Sequence, residues 1–199
     1  MGLVEIRRAG PTDMDEVGDI RIAAYVGGGF LSEDSGYVPT LRGLGAAGDG
    51  EVFVATVPDP ATARADQHPQ TDTGQQPRAD AGQQAATAER IVGTIMLQPW
   101  PHAGETVTGR DEAEIRALAV RPEVQGQGVG KQLLDHLMRR AAELGVAHLV
   151  LCTEPAMRAA HHLYEQAGFI RLPGRDWSPA PGTTLLVYGL RLNGSAAAS

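Results

Sequence analysis

The stretch Gln125-Gly126-Gln127-Gly128-Val129-Gly130-Lys131 sets three glycines within five positions, directly ahead of an apolar run with helical spacing. Glycines so placed let successive backbone amides turn to one side, and a helix N-terminus adds partial positive charge. The loop therefore suits a pyrophosphate without needing a metal. Lys131 would add a cation in the first helical turn. The same residues would also serve as a plain tight turn. Two nucleotide-binding patterns are excluded by spacing. A P-loop needs Gly, four residues, then Gly-Lys-Ser/Thr, whereas Gln125 stands five before Gly130 and Gln132 follows Lys131. A dinucleotide fingerprint needs Gly-x-Gly-x-x-Gly, and Gly126, Gly128 and Gly130 are one residue too tight.

Other reactive side chains are few. Cys152, the sole cysteine, lies in the apolar run AHLVLC and reads as a buried structural residue, and it rules out an intrachain disulfide. His161 and His162 are adjacent on an expected helix, pointing about 100° apart, which makes a poor metal pair. No metal site is expected.

The elements that must position the loop follow from periodicity. LVEIRRA (3–9) reads as a strand, and Thr12 or Asp13 caps a helix that should stop near Tyr25, ahead of Gly27-Gly28-Gly29. A Gly-rich stretch to Gly50 holds one weak helical turn at 40–44. Strands are expected at 51–57, 90–100 and 113–120, the last leading straight into the glycine loop. Leu133, Leu134, Leu137, Met138, Ala141 and Leu144 then recur at helical spacing, with Gly145 as a left-handed cap. AHLVLCTE (147–154) is an all-but-apolar strand, Thr153 or Glu154 opens a helix ending at Gly168, and FIRL and 183–192 close as strands. The pattern is a mixed α/β domain with a mostly antiparallel sheet.

Composition fits one ordinary domain over residues 1–192 with a flexible tail at 193–199: 199 residues, 42% apolar, formal charge -7. Residues 58–89 contain no large apolar side chain and read as a disordered insertion at a hairpin tip. Lys and Arg (17) are outnumbered by Asp and Glu (24) with no long basic run, so no nucleic-acid partner is expected. No signal-like stretch opens the chain, and no apolar run approaches the roughly 20 residues that span a bilayer. No membrane association and a cytoplasmic location are expected.

Three motifs in order, a strand ending LAV, then RPEVQGQGVGKQLL, then AAHHLYEQAGF, resemble the GNAT superfamily of acyl-CoA-dependent N-acetyltransferases. Gln125, Gly128 and Gly130 occupy the family's Arg/Gln-x-x-Gly-x-Gly/Ala positions, and VEIRRAGPTDMDEVGDI is similar to its first strand and helix. The resemblance spans nearly the whole chain apart from 58–89. It implies a central sheet of about six to seven strands flanked by helices and splayed between the fourth and fifth.

By matched position, the backbone of Leu118, Ala119 and Val120 would pair with the pantetheine arm of acetyl-CoA. The amides of Gln125, Gly126, Gln127, Gly128, Val129, Gly130 and Lys131 would hold its pyrophosphate. The amide near Leu118 would polarise the thioester carbonyl, a role in which one donor is typically worth on the order of 3 kcal/mol of barrier. An attacking amine must shed a proton, so a carboxylate is a sensible base. Glu114 is the candidate, with Glu112 on the same strand face as fallback. Tyr164 matches the family's helix tyrosine, the general acid toward the departing thiolate. Met157 stands seven residues before it, where many members carry Asn.

The resemblance implies a small-molecule or peptide amine as acceptor and a monomer or homodimer. Glu33 and Asp34 would meet a cationic amine, with Tyr25, Phe30, Tyr37 and Trp177 as walls. The rival reading is a non-catalytic acyl-CoA-binding sensor that keeps the loop without the chemistry.

Overall fold

The computed structural model describes residues 4–59, 89–180 and 182–192. Strands β1 (Glu5–Arg8), β2 (Glu51–Pro58), β3 (Glu89–Pro99), β4 (Glu112–Val120), β5 (His148–Thr153), β6 (Ile170–Arg171), β7 (Trp177–Ala180) and β8 (Thr183–Arg191) form the sheet system. Seven lie in the order β1-β2-β3-β4-β5-β8-β6, and β7 pairs along β8. Every pairing is antiparallel except β4 with β5. Among the described residues the strands number eight, one above the expected six to seven, because the four-residue β7, interrupted by Pro179, carries no strand pattern in the sequence.

Among the described residues, four helices cover the sheet: α1 (Met14–Gly27), α2 (Val38–Gly43), α3 (Val129–Glu143) and α4 (Arg158–Gln166). Strand alternation sends side chains to two cores. On β2, Phe53 and Ala55 join Leu133, Leu134, Leu137 and Tyr164 on the α3/α4 face. Val52 and Val54 meet Val17, Ile20 and Leu41 on the α1/α2 face. Leu133, Leu134 and Leu137 are fully buried, each contributing about 2 kcal/mol of transfer free energy to holding α3 on the sheet. Gly93 lets α3 come close: a Cβ there would lie 3.0 Å from Leu133 Cδ1 and 3.2 Å from Val129 Cγ1.

Helix boundaries shift in two places. α1 runs past Tyr25 to Gly27, because Gly28 N still donates to Ala24 O and Gly29 N to Val26 O, while Gly29 takes φ 72° to end it. Glycine is a poor interior residue but a favourable terminator. α4 begins at Arg158 rather than at Thr153 or Glu154, because a turn closed by Met157 N to Glu154 O intervenes after Pro155.

The expected insertion falls between β2 and β3, whose ends Pro58 and Glu89 are themselves paired strand residues. The remainder, 60–88, lies outside the described residues, as does the tail at 193–199. Among the described residues, no helix is long and apolar enough to cross a membrane.

Candidate active site

The site starts from a defect in β4. Thr94 pairs with Ala119 and Met96 with Arg116, so β4 spends one residue more than β3 over that interval. This is a β-bulge. Ala117 absorbs it at φ 51°, the only non-glycine among the described residues with positive φ, at a cost of about 1 kcal/mol. The bulge bends β4 away from β5. The two strands pair only from Glu112 to Ile115, against His148 to Leu151. From Arg116 onward the β5-facing main chain of β4 has no strand partner among the described residues.

Where the strands part, the glycine loop enters α3. Gly126 (φ 74°) and Gly128 (φ 83°) occupy left-handed backbone, and Gly128 caps the helix. Gln125 Nε2 donates to Val120 O and Gln127 Nε2 to Glu123 O, which tie the loop back on the strand it left. The first amide of α3 used within the chain is that of Gln132, which donates to Gly128 O; those of residues 126–131 find no acceptor among the described residues. Lys131 Nζ pairs with Asp135 at 2.6 Å at the rim.

The splay and the loop share one cleft of about 710 Å³, a size suited to a small-molecule ligand. Leu118, Ala119, Val120, Gln125, Gly126, Gly128, Val129, Gly130 and Lys131 line it, as do Tyr164 and Met157, the latter the residue preceding α4. Gln127 is exposed and outside that lining. Among the described residues, no cluster of His, Cys, Asp and Glu could hold a metal.

Tyr164 is 7% exposed, and its hydroxyl donates to nothing among the described residues. Burial, and then the neighbouring Tyr25 phenol, push its ionisation well above the ordinary tyrosine range, so at neutral pH it carries its proton. Cys152 is not the buried core residue expected. It is half-buried and lines the cleft, because β5 loses its neighbour β4 at that level. Trp177 Nε1 donates to its sulfur at 3.4 Å, and burial together with the Glu114 charge pushes the thiol up. It stays a thiol.

The carboxylates divide. Glu112, the fallback base, is fully engaged: Arg175 grips both its oxygens at 2.8 and 2.7 Å, His148 Nδ1 lies at 2.8 Å, and Thr108 donates through N and Oγ1. Those partners, Arg175 foremost, hold its acid far below the usual carboxylate range. So engaged and so strongly acidic, Glu112 is a structural anchor and not the base. Glu114 is also buried, and accepts from Gly104 N at 2.9 Å through Oε2; Oε1 has no hydrogen-bond partner among the described residues. It does not itself line the cleft, but its charge reaches Cys152, which does. Glu154, just past the end of β5, was read from the sequence only as a helix opener, not as a group of the site. Burial pushes its carboxyl up, and its charge reaches Tyr25.

The acceptor side reverses the expected charge. Tyr25 and Phe30 line the cleft, and burial pushes the Tyr25 phenol up to about 12. Glu33 and Asp34 are exposed and outside the lining; Asp34 accepts from Ser32 Oγ. Their loop turns outward because Phe30 N and Leu31 N both fold back onto Tyr25 O. On the side of the cleft lined by Tyr25 and Phe30, the charged residue among those described is Arg116, which sequence reasoning missed. Its signal was the alternation Glu112, Glu114, Arg116 on one face of an otherwise apolar strand.

A splayed parallel pair, a bulged strand and an amide-rich loop capping the next helix together define the α/β fold of an acyltransferase family. The profile of the acetyltransferase (GNAT) family matches residues 54–169, and the chain belongs to that family. It is 38% identical over 77 residues to the mycothiol acetyltransferase of Propionibacterium freudenreichii, covering 39% of this chain and 24% of that protein. It is 44% identical over 59 residues to the [ribosomal protein bS18]-alanine N-acetyltransferase of Escherichia coli, covering 30% and 40%. The matches thus span about a quarter and two-fifths of these curated relatives. Among solved structures, YncA of Salmonella typhimurium with acetyl-CoA superposes with a TM-score of 0.60 at 18% identity, covering 98% of each chain.

Proposed function

We propose that this protein is an acetyl-CoA-dependent N-acetyltransferase acting on a primary amine of a small molecule or peptide by direct attack. The observation that carries the reading is the unpaired edge of β4 opening into a cleft that ends at the unused amides of residues 126–131. An edge without a partner strand suits an extended amide-bearing arm, and inward amides at a helix N-terminus suit a pyrophosphate. The residues present therefore fit the group. Leu118, Ala119 and Val120 hold the arm, and the free amides of Gly126, Gln127, Gly128, Val129, Gly130 and Lys131 hold the phosphates; the Gln125 amide, expected among them, is spent on Pro122 O and its side chain on Val120 O, so Gln125 shapes the loop instead. The bound cosubstrate supplies an activated acetyl thioester.

The chain's own groups do the rest. The Leu118 amide donates toward the oxygen on which negative charge develops. Glu114, through Oε1 and directly or by way of water, takes the proton the amine must lose. The Tyr164 hydroxyl, held neutral by burial and unspent on any acceptor among the described residues, donates to the departing sulfur. Met157 replaces a hydrogen-bonding side chain at the cleft wall, leaving more of the grip to the loop amides.

The test is thiol release from acetyl-CoA with a panel of amines. Turnover is expected, and Tyr164→Phe should lower kcat about a hundredfold, with CoA affinity unchanged by calorimetry. Acetyl-CoA binding with no turnover on any amine would replace the enzyme reading with the sensor.

A further inference from the structure

The wall of the cleft facing α1 and α2 is cationic, and its cation is built in. Arg116 is the last regular residue before the bulge, on the β4 face toward α1 and α2, with a side chain 24% exposed. Its NH1 donates to Gln98 Oε1 at 3.0 Å. Gln98 is 2% exposed and cannot swing away, because its Nε2 donates to Asp49 Oδ2 at 2.7 Å. The other Arg116 contacts are loose: Tyr37 Oη at 3.5 Å from NH2, and Glu114 Oε2 at 3.9 Å from Nε. The guanidinium is thus aimed by a neutral amide and keeps donors to spare at the cleft. Arg21 stands behind it, fully buried, with NH1 on the carbonyls of Leu41 and Leu44 and with Nε and NH2 unpartnered among the described residues. No carboxylate pairs with Arg21 among the described residues. Burial lowers its ionisation only to about 10, so it remains a cation close to Arg116, Tyr25 and Tyr37.

Glu114 lies one strand step from Arg116 on the same face. The cation shares the cleft wall with Tyr25 and Phe30, and the carboxylate stands just behind that wall; a pair so spaced complements a ligand that carries its own carboxylate and amine a few bonds apart. We propose that Arg116 forms a carboxylate subsite and that the acceptor is a small amino acid. Arg116 takes the carboxylate through its planar fork while the amine faces Glu114. Lysine at this position would keep the charge and lose the fork. This inference deepens the acetyltransferase reading and rests on it for the direction in which the amine points.

The experiment sets the common amino acids against their carboxamides and decarboxylated amines, using the full chain. Acetyl transfer is measured by thiol release, and binding of the same probes to the CoA-loaded protein by calorimetry. At least one amino acid should exceed its carboxamide tenfold or more in kcat/KM and in affinity. Arg116→Gln should bring that ratio close to one by raising KM for the acid, and Arg116→Lys should restore part of it. Carboxamides or simple amines serving as well as the acids would overturn the subsite while leaving the acetyltransferase reading intact. So would Arg116→Gln weakening every probe alike with a lower melting temperature, which would make Arg116 a structural tie. Amino-acid binding that depends on Arg116 without any transfer would uphold the subsite and sink the enzyme.

Discussion

Replacing Glu112 by Gln separates structure from chemistry in this fold. The carboxylate is 8% exposed and neutralises Arg175, which makes no other ion pair among the described residues and whose Nε is already buried without a partner. The amide leaves a partly buried guanidinium uncompensated, while one oxygen still accepts a hydrogen bond. Breaking a fully buried pair from one side costs about 3 kcal/mol or more and an exposed one under about 1, so a part-buried pair should cost about 2 kcal/mol. For a chain of this size that lowers Tm by about 4–8 °C. The pH dependence has a definite sign. Glu112 has its acid depressed in the folded state, so its contribution is complete above the ordinary carboxyl value of about 4.5 and is lost as pH falls toward the lower folded value. The gap in Tm between wild type and Glu112→Gln should be full at pH 7 and shrink progressively below about pH 4.5. Melting followed by circular dichroism across that range, with acetyl transfer measured well below both transitions, reads both halves. Wild-type melting together with a hundredfold loss of turnover would refute the anchor and return Glu112 to the list of bases.

Three glycines offer contrasting outcomes. Gly128→Ala puts a side chain at φ 83°, so it should cost about 1 kcal/mol in urea denaturation and weaken CoA binding about tenfold by calorimetry. Gly130→Ala meets only Leu163 Cδ2 at 3.5 Å and Val120 Cγ2 at 3.7 Å inside a helical turn, so stability should rise by about 0.5 kcal/mol with CoA affinity within twofold. Gly189→Ala would place a Cβ 2.6 Å from Leu172 Cδ1 and 2.7 Å from His148 Nε2, and should lower the urea midpoint by the equivalent of about 2 kcal/mol.

The glycine loop was legible because only a residue without a Cβ takes up the backbone of positions 126 and 128 freely, and because Leu133, Leu134 and Leu137 repeat at a helical period just behind it. The strands at 51–58, 89–99 and 148–153 were legible as β-branched, apolar runs. The bulge was not. Alanine carries no mark of the left-handed region, so Ala117 reads as an ordinary strand residue, and the parting of β4 from β5 came only through family resemblance. Charge was legible residue by residue but not by direction: Glu33 and Asp34 looked like the acceptor wall until the loop that carries them turned out. Arg116 and Glu112 looked alike as charges in a strand, and only their partners show that one faces the cleft and the other pins the far end of the sheet.

The parting of β4 and β5 gives the cleft walls from both faces of the sheet, with α1 and the loop after it on one side and the starts of α3 and α4 on the other. On the proposed function, acceptor and cosubstrate therefore lean on different walls. A bulkier side chain beside Phe30 should then weaken the acceptor and spare the cosubstrate, and one beside Lys131 should do the reverse.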